Sequence, residues 1–215
     1  MFTGIIEELG HIKKIQAHSA NSVELTIAAE KIMTDMNLGD SIAVNGICLT
    51  VTAFNKVEFR VDVMPETIKA TSLNTLTTGS KVNLERAMHA NGRFGGHFVS
   101  GHIDGTGKII RKEKQENAIY YDIEVPIELQ SHLLTKGSIA VDGVSLTIFD
   151  VKDHIFTISL IPHTVAQTVL GEKTTGSIVN IESDMLAKYV ERMVQQTSTK
   201  KEGINQSFLA NNGFL

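Results

Sequence analysis

Cys48-Leu49-Thr50 sets a thiol two residues before a hydroxyl, and Ser145-Leu146-Thr147 repeats the arrangement with serine in place of cysteine. Residues two apart on a β-strand share one face, so each pair would present two small hydrogen-bonding groups to one pocket. Such groups can hold a polar ligand, relay a proton or add transiently to an electrophilic carbon. Taken singly they say little, because threonine is a good strand former and a free cysteine is often only a small buried side chain. Recurrence is what points to a site. His102 aligns with Ile5 in the same comparison, beside Gly101 and Gly4, where the backbone can approach a ligand closely. His163 likewise replaces Glu66, next to Pro162 and Pro65. A metal site is not expected: His97 and His102 are an odd number of residues apart, so on a strand they would face opposite sides. A single cysteine also excludes a disulfide and any CxxC site.

These residues sit inside a duplication. Ser-Ile-Ala-Val-Asn-Gly-Ile-Cys-Leu-Thr-Val at 41–51 returns as Ser-Ile-Ala-Val-Asp-Gly-Val-Ser-Leu-Thr-Ile at 138–148, an offset of 97 (138 − 41). Thr-Thr-Gly-Ser-Lys-Val-Asn-Leu-Glu at 77–85, Met64-Pro65-Glu66-Thr67 and Thr3-Gly4-Ile5-Ile6-Glu7 all recur at that same spacing. A period this long marks a doubled domain, since solenoid units run to roughly 20–50 residues.

Each copy reads as β-structure. Residues 58–63 alternate apolar and polar, 155–160 are rich in β-formers, and Asn45-Gly46 and Asp142-Gly143 are tight-turn dipeptides within longer β-rich runs. Short strands at regular spacing in about 90 residues suggest a small closed barrel or sandwich. Short helices are expected near 30–36 and 128–134. Leu186, Tyr189, Val190, Met193 and Val194 recur with helical spacing and form an apolar stripe, suited to packing on a barrel or joining subunits; the tail from Thr197 reads as polar and frayed. The glycine-rich stretch 89–97 between the copies is a linker. A phosphate loop is disfavoured there because a strand, not a helix, follows it.

Twenty basic against 24 acidic residues, a net charge of −4, give no electrostatic reason to expect nucleic-acid or acidic-membrane binding. No apolar run reaches the roughly 18 residues of a membrane span, and the first residues lack the features of a signal peptide. The expected setting is the reducing cytoplasm.

Together, Met-Phe-Thr-Gly-Ile-Ile-Glu, Val-Asn-Gly-Ile-Cys-Leu-Thr-Val, Asp-Val-Met-Pro-Glu-Thr and Gly-Arg-Phe-Gly-Gly-His-Phe-Val-Ser-Gly-His-Ile-Asp-Gly closely resemble the riboflavin synthase α-chain family of lumazine-binding repeats. The likeness runs from Met1 to about Met193. It implies an all-β fold of two tandem homologous six-stranded Greek-key barrels plus a C-terminal α-helix. The first barrel would occupy 1–97 and the second 98–194, with a helix from about 185 that builds a homotrimer, and 195–215 would be a polar tail. It also implies the last step of riboflavin biosynthesis, in which two molecules of 6,7-dimethyl-8-ribityllumazine exchange a four-carbon unit. The products are riboflavin and 5-amino-6-(ribitylamino)uracil, and no metal or other cofactor takes part. Two lumazines would meet between the first barrel of one subunit and the second of a neighbour. Association with lumazine synthase is a further partner to look for.

The resemblance implies a ligand site in the first barrel at Gly4, Ile5, Ile6, Cys48, Leu49, Thr50, Asp62, Val63, Met64, Pro65, Glu66 and Thr67. In the second it implies Gly101, His102, Ile103, Lys136, Ser145, Leu146, Thr147, Ser159, Leu160, Ile161, Pro162, His163 and Thr164. Ser41, Cys48 and His102 are the candidates for proton transfer or transient addition, Phe2 for stacking on or closing the site, and Asp184 for a weaker catalytic part.

Two other readings compete. Lumazine proteins of luminous bacteria are similar and hold their ligand without turnover, but need only one competent pocket; here both copies keep the Gly-x-Ile, hydroxyl- or thiol-Leu-Thr and Pro-x-Thr patterns. A plain β-scaffold explains Asn45-Gly46, Gly79 and Gly176 as turn positions, but not the recurring Cys/Ser and Thr pairs. Calorimetry at saturation is therefore expected to count two lumazine-class ligands per chain. One ligand, with the other pocket vacant, would overturn the reading of two working copies.

Overall fold

The computed structural model describes residues 1–19, 22–198 and 206–214. Strands β1 (Glu8–Ser19), β2 (Ser22–Ala28), β3 (Ser41–Val44), β4 (Ile47–Phe54), β5 (Glu58–Val63) and β6 (Lys81–Arg86) close into a barrel in the order β1-β2-β5-β4-β3-β6. Strands β7 (Gly105–Gln115), β8 (Ala118–Glu124), β9 (Ser138–Val141), β10 (Val144–Lys152), β11 (Ile155–Leu160) and β12 (Ile178–Ser183) close a second barrel with the same cyclic order. Every pairing is antiparallel, and the jumps from β2 to β5 and from β3 to β6 are Greek-key connections. Closure leaves no free sheet edge in either barrel.

Side-chain alternation decides what each barrel buries. Along β4 and β5, Ile47, Leu49, Val51, Phe59, Val61 and Val63 point inward, while Thr50, Arg60 and Asp62 stay exposed. Phe156, Ile158, Leu160, Ile148 and Tyr121 fill the second core, where the Tyr121 hydroxyl donates to the Leu170 carbonyl at 2.9 Å. Each such aliphatic or aromatic side chain stabilises the fold by roughly 1.5–3 kcal/mol. The expected turns form at the expected dipeptides: Asn45 and Gly46, like Asp142 and Gly143, take positive φ. The short helices near 30–36 and 128–134 are 3-10 turns, Lys31–Asp35 and Ile127–His132. Two further short helices, α1 (Pro65–Ala70) and α2 (Pro162–Gln167), each begin at proline, whose fixed φ and missing N–H suit a first helical position.

The two barrels belong to one compact unit, Met1–Asp184, and meet at a seam of reciprocal contacts. Phe2 and Val99, themselves 97 apart, pair across it through reciprocal backbone hydrogen bonds of 2.7 and 3.2 Å. Ala43 and Ala140 pack beside them. The turns at Gly46 and Gly143 touch so closely that a Cβ on either would lie 2.7 Å from the other's nitrogen. Asn83 and Asn180, both fully buried, lock the seam: each side-chain amide donates to the opposite turn (Asp142 O at 2.8 Å, Asn45 O at 2.9 Å). Each amide oxygen in turn accepts a backbone N–H, from Val169 and Ser72 respectively. A second unit, Met185–Leu215, holds α3 (Met185–Ser198) and α4 (Gln206–Asn211). The helix expected from about 185 starts there but runs on to Ser198, and α4 lies in the stretch read as a polar, frayed tail. That reading is corrected for 195–198 and 206–211; 199–205 and 215 lie outside the described residues.

One member of the seam departs from symmetry. Asp142 stands where the first copy has Asn45; it is completely buried, with Lys173 Nζ 3.6 Å away. Burial pushes its carboxyl above the ordinary carboxylate range, while Lys173 and the Asn180 N–H draw it back. A carboxyl raised in the folded state favours folding when protonated, and that contribution is lost as pH rises through the raised value. Lys173→Met removes the cation beside this buried carboxyl and is expected to cost about 3–5 kcal/mol where the carboxyl is ionised. In urea unfolding, the deficit should shrink at mildly acidic pH as Asp142 takes up a proton.

Candidate active site

The last strand of each barrel ends its repeated motif in a buried glutamate that ties down the opening segment of its own copy. Glu85 accepts from Thr3 N (2.7 Å), Thr3 Oγ1 (2.7 Å) and Gly4 N (3.0 Å). Glu182 does the same for Ser100 N (2.6 Å), Ser100 Oγ (2.7 Å) and Gly101 N (2.9 Å). Burial raises the Glu85 carboxyl, and these N–H and O–H donors oppose the shift. From these anchors each opening segment crosses the seam. Gly4 O accepts from Ser145 N at 2.7 Å, and Gly101 O accepts from Cys48 N at 2.9 Å. Ile6 then packs on the second core and Ile103 on the first. Gly4 and Gly101 have positive φ, and a Cβ on either would lie 2.6 Å from the Cβ of Ser145 or Cys48. Only glycine permits that approach.

This corrects the grouping that the resemblance implied. Gly101, His102 and Ile103 complete the cavity of the first barrel, and Gly4 and Ile6 meet the second, while Ile5 lines a cleft with Arg86, Met88 and Arg93. The physical reason is the position of the glutamate anchors at the seam, which launches each segment toward the other copy. The segment bearing His102 is irregular rather than a strand, because β7 begins only at Gly105.

On the first barrel a cavity of about 290 Å³ is walled by Ile47, Cys48, Glu66, Thr67, Ala70, Thr71, Gly101, His102 and Ile103. That is near the lower end of the size expected for small-molecule sites, roughly 300 Å³. Cys48 is half-buried and His102 exposed, so a thiol, an imidazole and the Glu66 carboxylate line one space. Thr50, Asp62 and Met64 continue the outward face of β4 and β5, and Pro65 opens α1.

The second barrel presents Ser145, Thr147, Ser159 and Ile161 on the matching face, with Pro162, His163 and Thr164 opening α2. Its chemistry differs from the first at corresponding positions: Ser145 for Cys48, Ser159 for Asp62, His163 for Glu66 and Lys136 for Gly39. Lys136, in positive φ, holds its ammonium 4.5 Å from the Phe149 ring centre, and Phe149 meets Tyr120 edge-on at 5.6 Å. The acidic and thiol-bearing first face thus has a neutral, partly cationic counterpart.

Several expected residues stand elsewhere. Leu49, Val63 and Leu160 turn their side chains into the barrel cores, so they can offer a ligand only backbone groups; strand alternation requires this of residues between outward neighbours. Leu146 is half-buried against the second core. Phe2 is fully buried at the seam beneath Gly101 and is no part of the cavity wall, so stacking on a ligand would require it to move. Ser41 pairs with Thr50 across β3 and β4 but lines another cleft, with Asp35 and Arg86. Asp184 lies close enough to His97 to raise its proton affinity. A larger cleft of about 590 Å³ on the first barrel is lined by charged groups already paired, Lys13 with Glu58 and Arg60 with Glu24. Among the described residues, no group of three His, Cys, Asp or Glu could hold a metal.

Sequence reasoning missed His97, which it weighed only as a metal ligand. Its Nδ1 lies 2.7 Å from Ser145 Oγ. Nothing in the spacing links residues 48 apart. It also missed the anchoring glutamates, although Glu85 and Glu182 close a motif repeated at the offset of 97.

The family model for the lumazine binding domain matches residues 3–87 and 100–184, one copy to each barrel. Two such barrels in tandem define the class of protein. The chain is 59% identical to the riboflavin synthase of Bacillus subtilis (strain 168) and 50% identical to that of Actinobacillus pleuropneumoniae, with all of each chain covered. It is 41% identical to that of Schizosaccharomyces pombe over 91% of this chain and 94% of that one. The crystal structure of LumP complexed with riboflavin superposes with a TM-score of 0.79 at 29% identity, covering 85% of this chain and 99% of that one. LumP complexed with 6,7-dimethyl-8-(1'-D-ribityl) lumazine gives 0.77 over the same shares. The chain belongs to the riboflavin synthase family.

The crossing of the opening segments makes an unusual expectation. Glu85→Ala, a change in the first barrel, should cut ligand stoichiometry from two to one by releasing the segment over the second barrel. Calorimetry reads the loss, and Glu182→Ala should remove the other site.

Proposed function

We propose that the chain is a riboflavin synthase, converting two molecules of 6,7-dimethyl-8-ribityllumazine into riboflavin and 5-amino-6-(ribitylamino)uracil. The observation that carries this reading is full-length identity of 59% to a riboflavin synthase, together with a lumazine binding domain matched in each of two barrels. Donor and acceptor are the same compound, so a duplicated fold supplies two related sites. Holding two reactants in register can contribute roughly 7–11 kcal/mol toward the barrier. Much of the chemistry resides in the substrate: the 7-methyl group of one lumazine is acidic, and C7 of the other is electrophilic. The protein's part is to orient the rings and to polarise them. Cys48 and His102, which share one cavity, are the groups best placed to move a proton or add transiently, and Glu66 is the carboxylate beside them. Ser41, one strand away, faces Thr50 across β3 and β4 and stands outside that cavity.

The binding-only alternative, a lumazine-carrying protein, predicts a fluorescent complex and no product. Incubation with the lumazine should instead show riboflavin absorbance rising at one equivalent per two lumazines consumed. Persistence of the starting spectrum would overturn the enzyme reading. Cys48→Ser keeps a hydroxyl, as the second copy does naturally; a fall in turnover of tenfold or more would assign a thiolate role, worth about 1.4 kcal/mol per factor of ten. Full turnover would exclude an essential thiolate.

Assembly follows from α3. Tyr189 and Val190 stand about 60% exposed (58% and 60%) in a stripe with Leu186, Met193 and Val194. An apolar helix face of that kind suits self-association, and the trimer carried by the resemblance would set a first barrel against a neighbour's second. Val190→Asp should lower the sedimenting mass toward that of one chain and reduce turnover in parallel. An unchanged mass would remove α3 from the interface.

A further inference from the structure

His97 ends the linker and meets Ser145 of the second barrel. His97 is 8% exposed, and its backbone N–H donates to Thr3 O at 3.2 Å. Gly96 allows this: a Cβ there would lie 1.9 Å from Thr3 O and 3.0 Å from Ser145 Oγ. The ring meets Ser145 Oγ through Nδ1 at 2.7 Å, while Nε2 is buried with no hydrogen-bond partner among the described residues. Burial lowers the proton affinity of the ring, against the opposing pull of Asp184, so it stays neutral near pH 7. A neutral imidazole carries one proton. An orphaned interior N–H is rarer and more costly than an unfilled lone pair, which puts the proton on Nδ1.

We propose that His97 is a positioning residue for the second pocket: its Nδ1–H donates to Ser145 Oγ, and the serine's own proton is thereby directed to the bound ligand. Ser145 itself is half-buried on the outward face of β10. A hydroxyl that accepts one bond becomes a stronger donor in the next, and it does so only in the barrel that also carries Lys136 and His163. The ligand group it suits is a carbonyl oxygen or ring nitrogen that gains negative charge. The inference rests on the riboflavin synthase reading, since it takes the second pocket to hold a lumazine or flavin.

Titration with riboflavin, followed by calorimetry, tests it. His97→Leu should weaken one of two sites about tenfold and leave the other unchanged. His97→Asn, whose amide N–H can stand where Nδ1–H stood, should restore most of the affinity, and His97→Gln, whose amide lies nearer Nε2, should not. Ser145→Ala should reproduce the loss, and the double variant His97→Leu/Ser145→Ala should be no worse than either alone. Unchanged affinity in His97→Leu, additive losses in the double variant, or equal behaviour of Asn and Gln would overturn the proposal. If His97→Leu does not fold, the Asn and Gln pair decides. Wild-type protein that binds no riboflavin and makes none would instead sink the functional reading itself.

Discussion

The structure depends on two buried carboxylates at the seam. Glu85 and Glu182 each take three N–H or O–H donors from a four-residue opening segment. A charge-assisted bond of this kind is worth roughly 1.5–3 kcal/mol, and more is lost when a buried partner is left unmet. Backbone bonds hold these segments at only a few points, such as Gly4 to Ser145 and Gly101 to Cys48. Without the carboxylates, three donors in each segment would lose their partner and its course would be held by backbone bonds alone. The site is therefore built from barrel walls and separately tethered covers.

Duplication gave two similar faces, and a handful of substitutions made them unlike. One face carries a thiol, an acidic residue at the strand end and another at the helix start. The other carries serines, a histidine and a lysine over an aromatic pair. For a reaction in which identical molecules take opposite parts, shape alone cannot assign the parts. Charge and hydrogen-bond polarity can, and the two faces differ in both.

Much of this was legible in the chain. The offset of 97 identified the copies, and the Asn-Gly and Asp-Gly turns marked where β3 meets β4 and β9 meets β10. The alternation at 58–63 identified which side chains face outward. Cys48, Glu66 and Thr67, grouped together from the sequence, share one cavity, but His102, assigned to the other copy, stands in it as well. What could not be read was anything that depends on crossing the seam. The opening segments are sequence-local to one copy yet cover the other, and no periodicity encodes that. Residues such as Leu49 and Val63 were swept into the site with their neighbours, although strand alternation alone turns them to the core. The His97–Ser145 contact joins a linker to a strand, a relation that only folded distances reveal.

The crossed covers have a consequence for the history of the chain. A single copy, cut free, would own a wall with nothing above it and a flap with nothing below. Two identical halves could satisfy each other by trading flaps, as the present fused pair does across Phe2 and Val99. Such a half-length protein would be obliged to work as a twin, with both chambers alike. Joining the halves into one polypeptide is what freed the chambers to diverge.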